Sequence, residues 1–114
     1  APKFVEGFLK AGATAILCAS DVIAAGVLRE LSRLGVRVPE EVSVAGFDDL
    51  PIASEIYPPL TTVSYPVRDI ARLAFETLYT RIKFHSLNTG VCRYLDSTLI
   101  IRKSSVMPQK GMQK

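Results

Sequence analysis

Apolar residues change their spacing repeatedly along this chain, and each change marks an element. From Pro2 to Lys10, Phe4, Val5, Phe8 and Leu9 recur at helical spacing, which predicts a short amphipathic helix ended by Gly12. Thr14 to Ser20 (TAILCAS) is a continuous apolar run between turn formers, the pattern of a strand buried on both faces. Ser20 and Asp21 can each cap the helix that follows. Ala24, Val27, Leu28, Leu31 and Leu34 mark that helix's inward face, and Gly35 supplies the stop. After the loop VRVPEE comes a second buried run, VSVAGF (42–47). Strand, helix, strand with short connections is a βαβ unit, so the two strands are expected to be parallel with a right-handed crossover.

The second half reads differently. LPIASEIYPPL (50–60) is expected to be irregular, because Pro58-Pro59 forbids ladder pairing. TTVSY (61–65) is a third, shorter strand. Pro66 suits the first position of a long helix reaching about Lys83, since its missing N–H costs nothing there. Val67, Ile70, Ala71, Ala74, Leu78 and Ile82 form that helix's expected buried stripe. HSLNTG (85–90) reads as a loop, YLDSTLIIRKS (94–104) as a final extended segment and MPQKGMQK (107–114) as a tail. The fold class is therefore α/β, with a parallel sheet and flanking helices.

Composition narrows the function classes. A chain of 114 residues makes one modest domain, and 48% hydrophobic content excludes disorder. No apolar run reaches the roughly 18 residues a membrane span needs. The start, APKFVEGFLK, shows no secretory signal and no initiator Met, so processing or an origin in a longer protein is expected. A net charge of +3 and a pI near 9.0 permit nucleic-acid contact. The charge is scattered, however: Glu30, Glu40 and Glu41 interrupt Arg29, Arg33 and Arg37, and Asp69 and Glu76 interrupt Arg68, Arg72 and Arg81. That is a solvated surface rather than a binding stripe. Cys18 lies in an apolar run and Cys92 far from it, so two reduced thiols in a cytoplasmic protein are expected. His85 has no patterned partner, which leaves a zinc site or a Ser-His pair without support.

The candidate chemistry sits at strand ends, where open parallel sheets bind ligands. Ser20-Asp21 follows the first strand and Asp48-Asp49 the second. Vicinal carboxylates repel each other and resist burial, so at least one needs donors. A plain capping role competes for Asp21. A phosphoacceptor site would want a lysine at a late strand end, and TTVSY has none; a Mg²⁺ site would want a phosphate loop, and GATAIL is not one. The chain is expected not to be an enzyme and to carry no cofactor or metal. An ionised carboxylate accepts from two hydroxyls at once, and Phe47, Tyr57 and Tyr65 flank the region, so a sugar-like ligand fits better.

AILCASD (15–21), GVLRELSRLGVRVPEEVSVAGFDDLP (26–51), PPLTTVSYPV (58–67) and LIIRKSSV (99–106) together resemble the LacI/GalR family of bacterial transcription regulators. The resemblance implies a type I periplasmic-binding-protein-like effector domain with two lobes, of which this chain is a partial domain, the last part. It places residues 1–63 in the second lobe, 64–96 in the first and 97–106 back in the second, with 107–114 as a tail. It implies that Asp48, the first Asp of GFDD, accepts hydrogen bonds from the effector, with Asp21 beside it. Ser20 stands where many members have Asn and Tyr65 where many have Gln, so the donor set differs. Val22 to Leu31 and Ser54 to Tyr57 match the family's pairing surfaces, which puts Val22, Ile23, Val27, Glu30 and Tyr57 on an expected homodimer interface. The implied function is that of the effector-sensing, dimerising portion of a cytoplasmic repressor that meets operator DNA only through an upstream helix-turn-helix and meets no membrane. The alternative is an exported sugar-binding protein of the same fold, for transport or chemotaxis.

Overall fold

In the computed structural model, which describes residues 2–84 and 90–107, four helices alternate with short strands. The order is α1 (Pro2–Lys10), β1 (Ala15–Leu17), α2 (Asp21–Arg33), β2 (Ser43–Ala45), α3 (Pro51–Glu55), β3 (Thr62–Ser64), α4 (Val67–Phe84) and β4 (Thr98–Ile100). His85, nearly all of the expected loop at 85–90 and nearly all of the tail lie outside the described residues.

β1 and β2 pair in parallel, with Ala15 opposite Ser43, Ile16 opposite Val44 and Leu17 opposite Ala45, as the βαβ pattern predicts. The ladder runs past the strands, with Cys18 N donating to Ala45 O at 2.8 Å and Ser43 N to Thr14 O at 2.9 Å. On the other edge of β2, Val44 N donates to Ser104 O, Gly46 N to Thr61 O and Asp48 N to Val63 O. β3 and β4 form a second two-stranded sheet.

Local chemistry explains the boundaries of α2. The Ser20 hydroxyl caps it by accepting from Ile23 N at 3.3 Å. At the far end Gly35 adopts φ +73, the left-handed conformation that a Cβ disfavours, and Val36 N returns to Leu31 O. Ala24, Leu28 and Leu31 of α2 meet Ile16, Cys18, Val42 and Val44, and Val5, Ala53 and Leu60 complete the buried cluster.

The chain divides into two units. One takes in the residues through Ser64 together with those from Leu99; the other is Tyr65–Thr98. The first holds the whole buried cluster. The described residues of the second are α4, the two residues before it and those from Gly90 to Thr98, which form no regular element before β4.

Several expectations need correction. The strands are not buried on both faces. Ile16 and Cys18 are buried, but Leu17 is 80% exposed and Ala15 and Ala19 are open too. In the second run Val42, Val44 and Gly46 are buried while Phe47 is exposed. One face meets α2; among the described residues of this unit no second layer lies against the other, and an apolar strand face is buried only by one. The same holds for α1, where Val5 is buried but Phe4 is 73% exposed and Phe8 exposed. No residue of α4 is buried, so its predicted stripe is exposed; among the described residues of its unit there is no sheet for it to cover. Residues 50–60 are not wholly irregular either. Pro51 presets the first turn of α3, and the prolines at 58 and 59 fall beyond its end. The final extended segment narrows to β4.

Two glycines separate steric need from simple tolerance. A Cβ on Gly46 would run into the Asp21 carboxylate and lie 2.9 Å from Leu60 Cδ2, whereas one on Gly26, inside α2, meets nothing within 4 Å. Gly46→Ala is expected to lose about 1–3 kcal/mol through overpacking. Gly26→Ala is expected to gain about 0.5–1 kcal/mol of helix stability. Chemical denaturation of the two variants beside the parent checks both signs.

Candidate functional site

The site grows from the carboxyl ends of β1 and β2. Asp21 N donates to Phe47 O at 2.9 Å, which joins the corner after β1 to the corner after β2. The Asp21 side chain is fully buried. Its Oδ1 accepts from the Thr62 hydroxyl at 2.6 Å and its Oδ2 from Leu50 N at 2.8 Å. A buried carboxylate persists only with such donors. Asp21 therefore ties the start of α2 to the residue before α3 and to β3.

Between these ties, Asp48 and Asp49 have φ +115 and +53. Non-glycine residues seldom adopt positive φ, and holding one there costs on the order of 1–3 kcal/mol. The turn is pinned at successive amides: Asp48 N donates to Val63 O at 3.0 Å, Asp49 N to Thr62 Oγ1 at 3.4 Å and Leu50 N to Asp21. The Asp49 carboxylate takes a bond from Arg102 Nη2 at 2.7 Å, and Arg102 Nη1 reaches Leu60 O at 3.0 Å. Asp49 is ion-paired to Arg102, and Asp48 is half-buried at the apex of the turn.

Beside that apex, Leu17, Cys18, Ala19 and Phe47 line a shallow apolar concavity of about 300 Å³. Burial pushes the Cys18 thiol up from its ordinary pKa, so it remains neutral in this wall. Ser20 and Asp21 come together with Asp48 in one unit. Tyr65 belongs to the other unit. Tyr57 is 92% exposed and is no wall of the concavity. Among the described residues no three His, Cys, Asp or Glu side chains gather as a metal would require.

Residues 2–105 match the periplasmic binding protein-like domain. The chain belongs to that family. It is 37% identical over 91 residues to the ribose operon repressor of Haemophilus influenzae, a stretch covering 80% of this chain and 27% of that protein. Among solved structures it is similar to the transcriptional regulator CelR in complex with cellobiose (TM-score 0.82, 31% identity), covering 91% of this chain and 32% of that one. It is also similar to the lac repressor dimer bound to operator and the anti-inducer ONPF (TM-score 0.77, 28% identity), covering 92% and 37%. The chain thus spans about a quarter to a third of these regulators.

Arg102, Thr62 and Gly46 were not singled out by sequence reasoning. A signal for Arg102 existed: a lone guanidinium in the apolar segment LIIRKS has reason to be there only if it meets an acid. Nothing local marks Thr62, because its partner is 41 residues away.

The expected interface residues divide. Val22, Ile23 and Tyr57 are exposed, while Val27 is half-buried and packs on the core. Glu30 is buried and gripped by Arg33, with Nη2 to Oε1 at 2.5 Å. The hydrogen bond from Arg33 leads in holding the Glu30 carboxyl below the ordinary carboxylate range. A folded-state pKa lowered in this way adds stability above the unfolded value, about 4.3, and that stability is lost as pH falls through the lower folded value. Thermal melts of parent and Glu30→Gln from neutral to acid pH should therefore converge below the ordinary carboxylate range, with the parent's advantage confined to higher pH.

Proposed function

We propose that this chain is the effector-sensing portion of a LacI/GalR-type transcription regulator and that Asp48 accepts hydrogen bonds from hydroxyls of a small sugar-like effector. The observation that carries this reading is the Asp48 backbone. A strained positive φ at a strand end, pinned by successive amide bonds, is costly unless the side chain has to be aimed. Asp21 and Asp49 hold that turn, the first through Leu50 N and Thr62 and the second through Arg102. The neighbouring apolar wall suits the face of a sugar ring. The similarity to a ribose operon repressor and to a cellobiose complex supports the ligand class.

In this reading residues 1–63 and 97–106 belong to one lobe and 64–96 to the other. The division of the chain between Ser64 and Tyr65 and between Thr98 and Leu99 supports it. Ser20 caps α2 beside the ligand, Tyr65 contributes from the other lobe, and Asp21 serves the ligand indirectly by holding the turn. Effector between the lobes shifts the population toward one lobe arrangement, and that arrangement sets operator affinity. Operator contact belongs to a helix-turn-helix elsewhere in the protein. Val22, Ile23 and Tyr57 provide the apolar surface for a homodimer, in line with the dimeric lac repressor. The protein acts in the cytoplasm and catalyses nothing. The exported-carrier alternative has less support, because the relatives named above are regulators.

Calorimetric titration of the full-length protein with mono- and disaccharides tests the assignment. For the sugar that binds, Asp48→Ala should cost about 1.5–3 kcal/mol, the worth of hydrogen bonds to a charged acceptor. Asp49→Ala should cost less, since its effect is indirect. A larger loss at Asp49 than at Asp48 would contradict the assignment.

A further inference from the structure

We propose that Arg102 is a positioning residue for the Asp48 turn: through Asp49 it holds the backbone conformation that aims the Asp48 carboxylate. The relevance of this to ligand binding rests on the reading of Asp48 given above; the structural claim does not.

Among the described residues Arg102 makes polar contacts with Leu60 and Thr61 on one side and with Asp49 on the other. Its backbone N donates to Thr61 Oγ1 at 3.0 Å, Nη1 to Leu60 O at 3.0 Å and Nη2 to Asp49 Oδ1 at 2.7 Å. One side chain thus spans the backbone leading into β3 and the turn after β2. The ion pair is largely shielded, with side-chain exposures of 22% for Arg102 and 24% for Asp49. Its neighbourhood is tightly bonded. Thr61 N donates to Ser104 Oγ, Ser104 Oγ to Val44 O and Lys103 N to Pro59 O.

The strain lies next door. Asp48 and Asp49 are consecutive residues at positive φ, and such a pair relaxes toward extended backbone unless its surroundings over-determine it. The amide of Asp49 makes a long bond, 3.4 Å, to the Thr62 hydroxyl, which in turn donates to Asp21 at 2.6 Å. The Arg102–Asp49 pair is the short, charged contact at this residue. It holds the turn from the side-chain end while Val63 and Asp21 hold it from the amide end.

Arg102 also stands just after β4, where the chain re-enters this unit from Tyr65–Thr98. Leu60–Thr61 lies just before the chain leaves it. The outgoing segment, the returning segment and the Asp48 turn therefore share one side chain. A displacement of either connecting segment reaches the effector acceptor through Arg102. Lysine is a poor substitute, since one ammonium cannot fork between Leu60 O and Asp49 as a guanidinium does.

Solution NMR of the isotopically labelled full-length protein, with no ligand present, tests this. The three-bond HN–Hα coupling of Asp48 reads φ directly, and amide exchange reads local opening. In Arg102→Gln the Asp48 coupling should rise toward the extended-strand value, and exchange at Asp48 and Asp49 should quicken at least about tenfold. The Val44 and Cys18 amides should keep their parental rates. Asp49→Asn, which removes the charge without changing side-chain shape, should show the same local pattern, and combining it with Arg102→Gln should add little further. Arg102→Lys should fall between parent and Arg102→Gln. An unchanged Asp48 coupling in folded Arg102→Gln would overturn the proposal. Acceleration at Val44 as large as at Asp48, or general unfolding in all three single variants, would make Arg102 a general stabiliser and overturn it equally. Because no effector enters the measurement, its result stands apart from whether Asp48 binds one.

Discussion

The buried carboxylate of Asp21 is the constraint on which the rest of this site depends. An ionised group with no access to water needs its lone pairs occupied. Asp21 meets that need with the Leu50 amide and the Thr62 hydroxyl, which come from separate parts of the chain. Those two bonds determine where the turn after β2 ends and where β3 runs. Residue 46 must be glycine because the Asp21 carboxylate occupies the space where a Cβ would stand. The strained pair Asp48-Asp49 is then caught between Asp21 on one side and Arg102 on the other. A helix-capping acid at this position could have done its work at the surface. Here it has become the internal strut of the corner after β2, and Ser20 does the capping instead.

Much of this was legible in the sequence. The parallel βαβ unit followed from two apolar runs separated by a helical period, and the α2 boundaries from Ser20 and Gly35. The acids at strand ends could be located from the pattern alone. Their division of labour could not, because it rests on contacts such as Arg102 with Asp49, 53 residues apart. Chemistry read along the chain gives residue types at a corner; which partner each carboxylate meets is a property of tertiary contacts. α3 departs from the irregular segment expected at 50–60: Pro58-Pro59 forbids ladder pairing there, but Pro51 readily starts a helix.

Burial was the property least legible from periodicity. TAILCAS has the composition of a strand covered twice, and the α4 stripe has that of a helix against a sheet, yet Leu17 and the stripe lie open. Apolar patterning reports which faces a chain would gain by burying, at about 25 cal/mol per Å², and not whether a partner layer lies within the same chain. This chain spans about a quarter to a third of the regulators it matches, so the pattern and the exposure are compatible.

The central claim is that three neighbouring acids have separate tasks: Asp21 as strut, Asp49 as counter-ion and Asp48 as ligand acceptor. A crystal structure of the full-length protein with its bound effector tests it most directly. The account predicts an Asp48 carboxylate oxygen within about 3 Å of an effector oxygen, with Asp21 still on Leu50 N and Thr62 and with Asp49 still on Arg102. An effector seated against Asp21 or Asp49, with Asp48 turned away from it, would contradict the account.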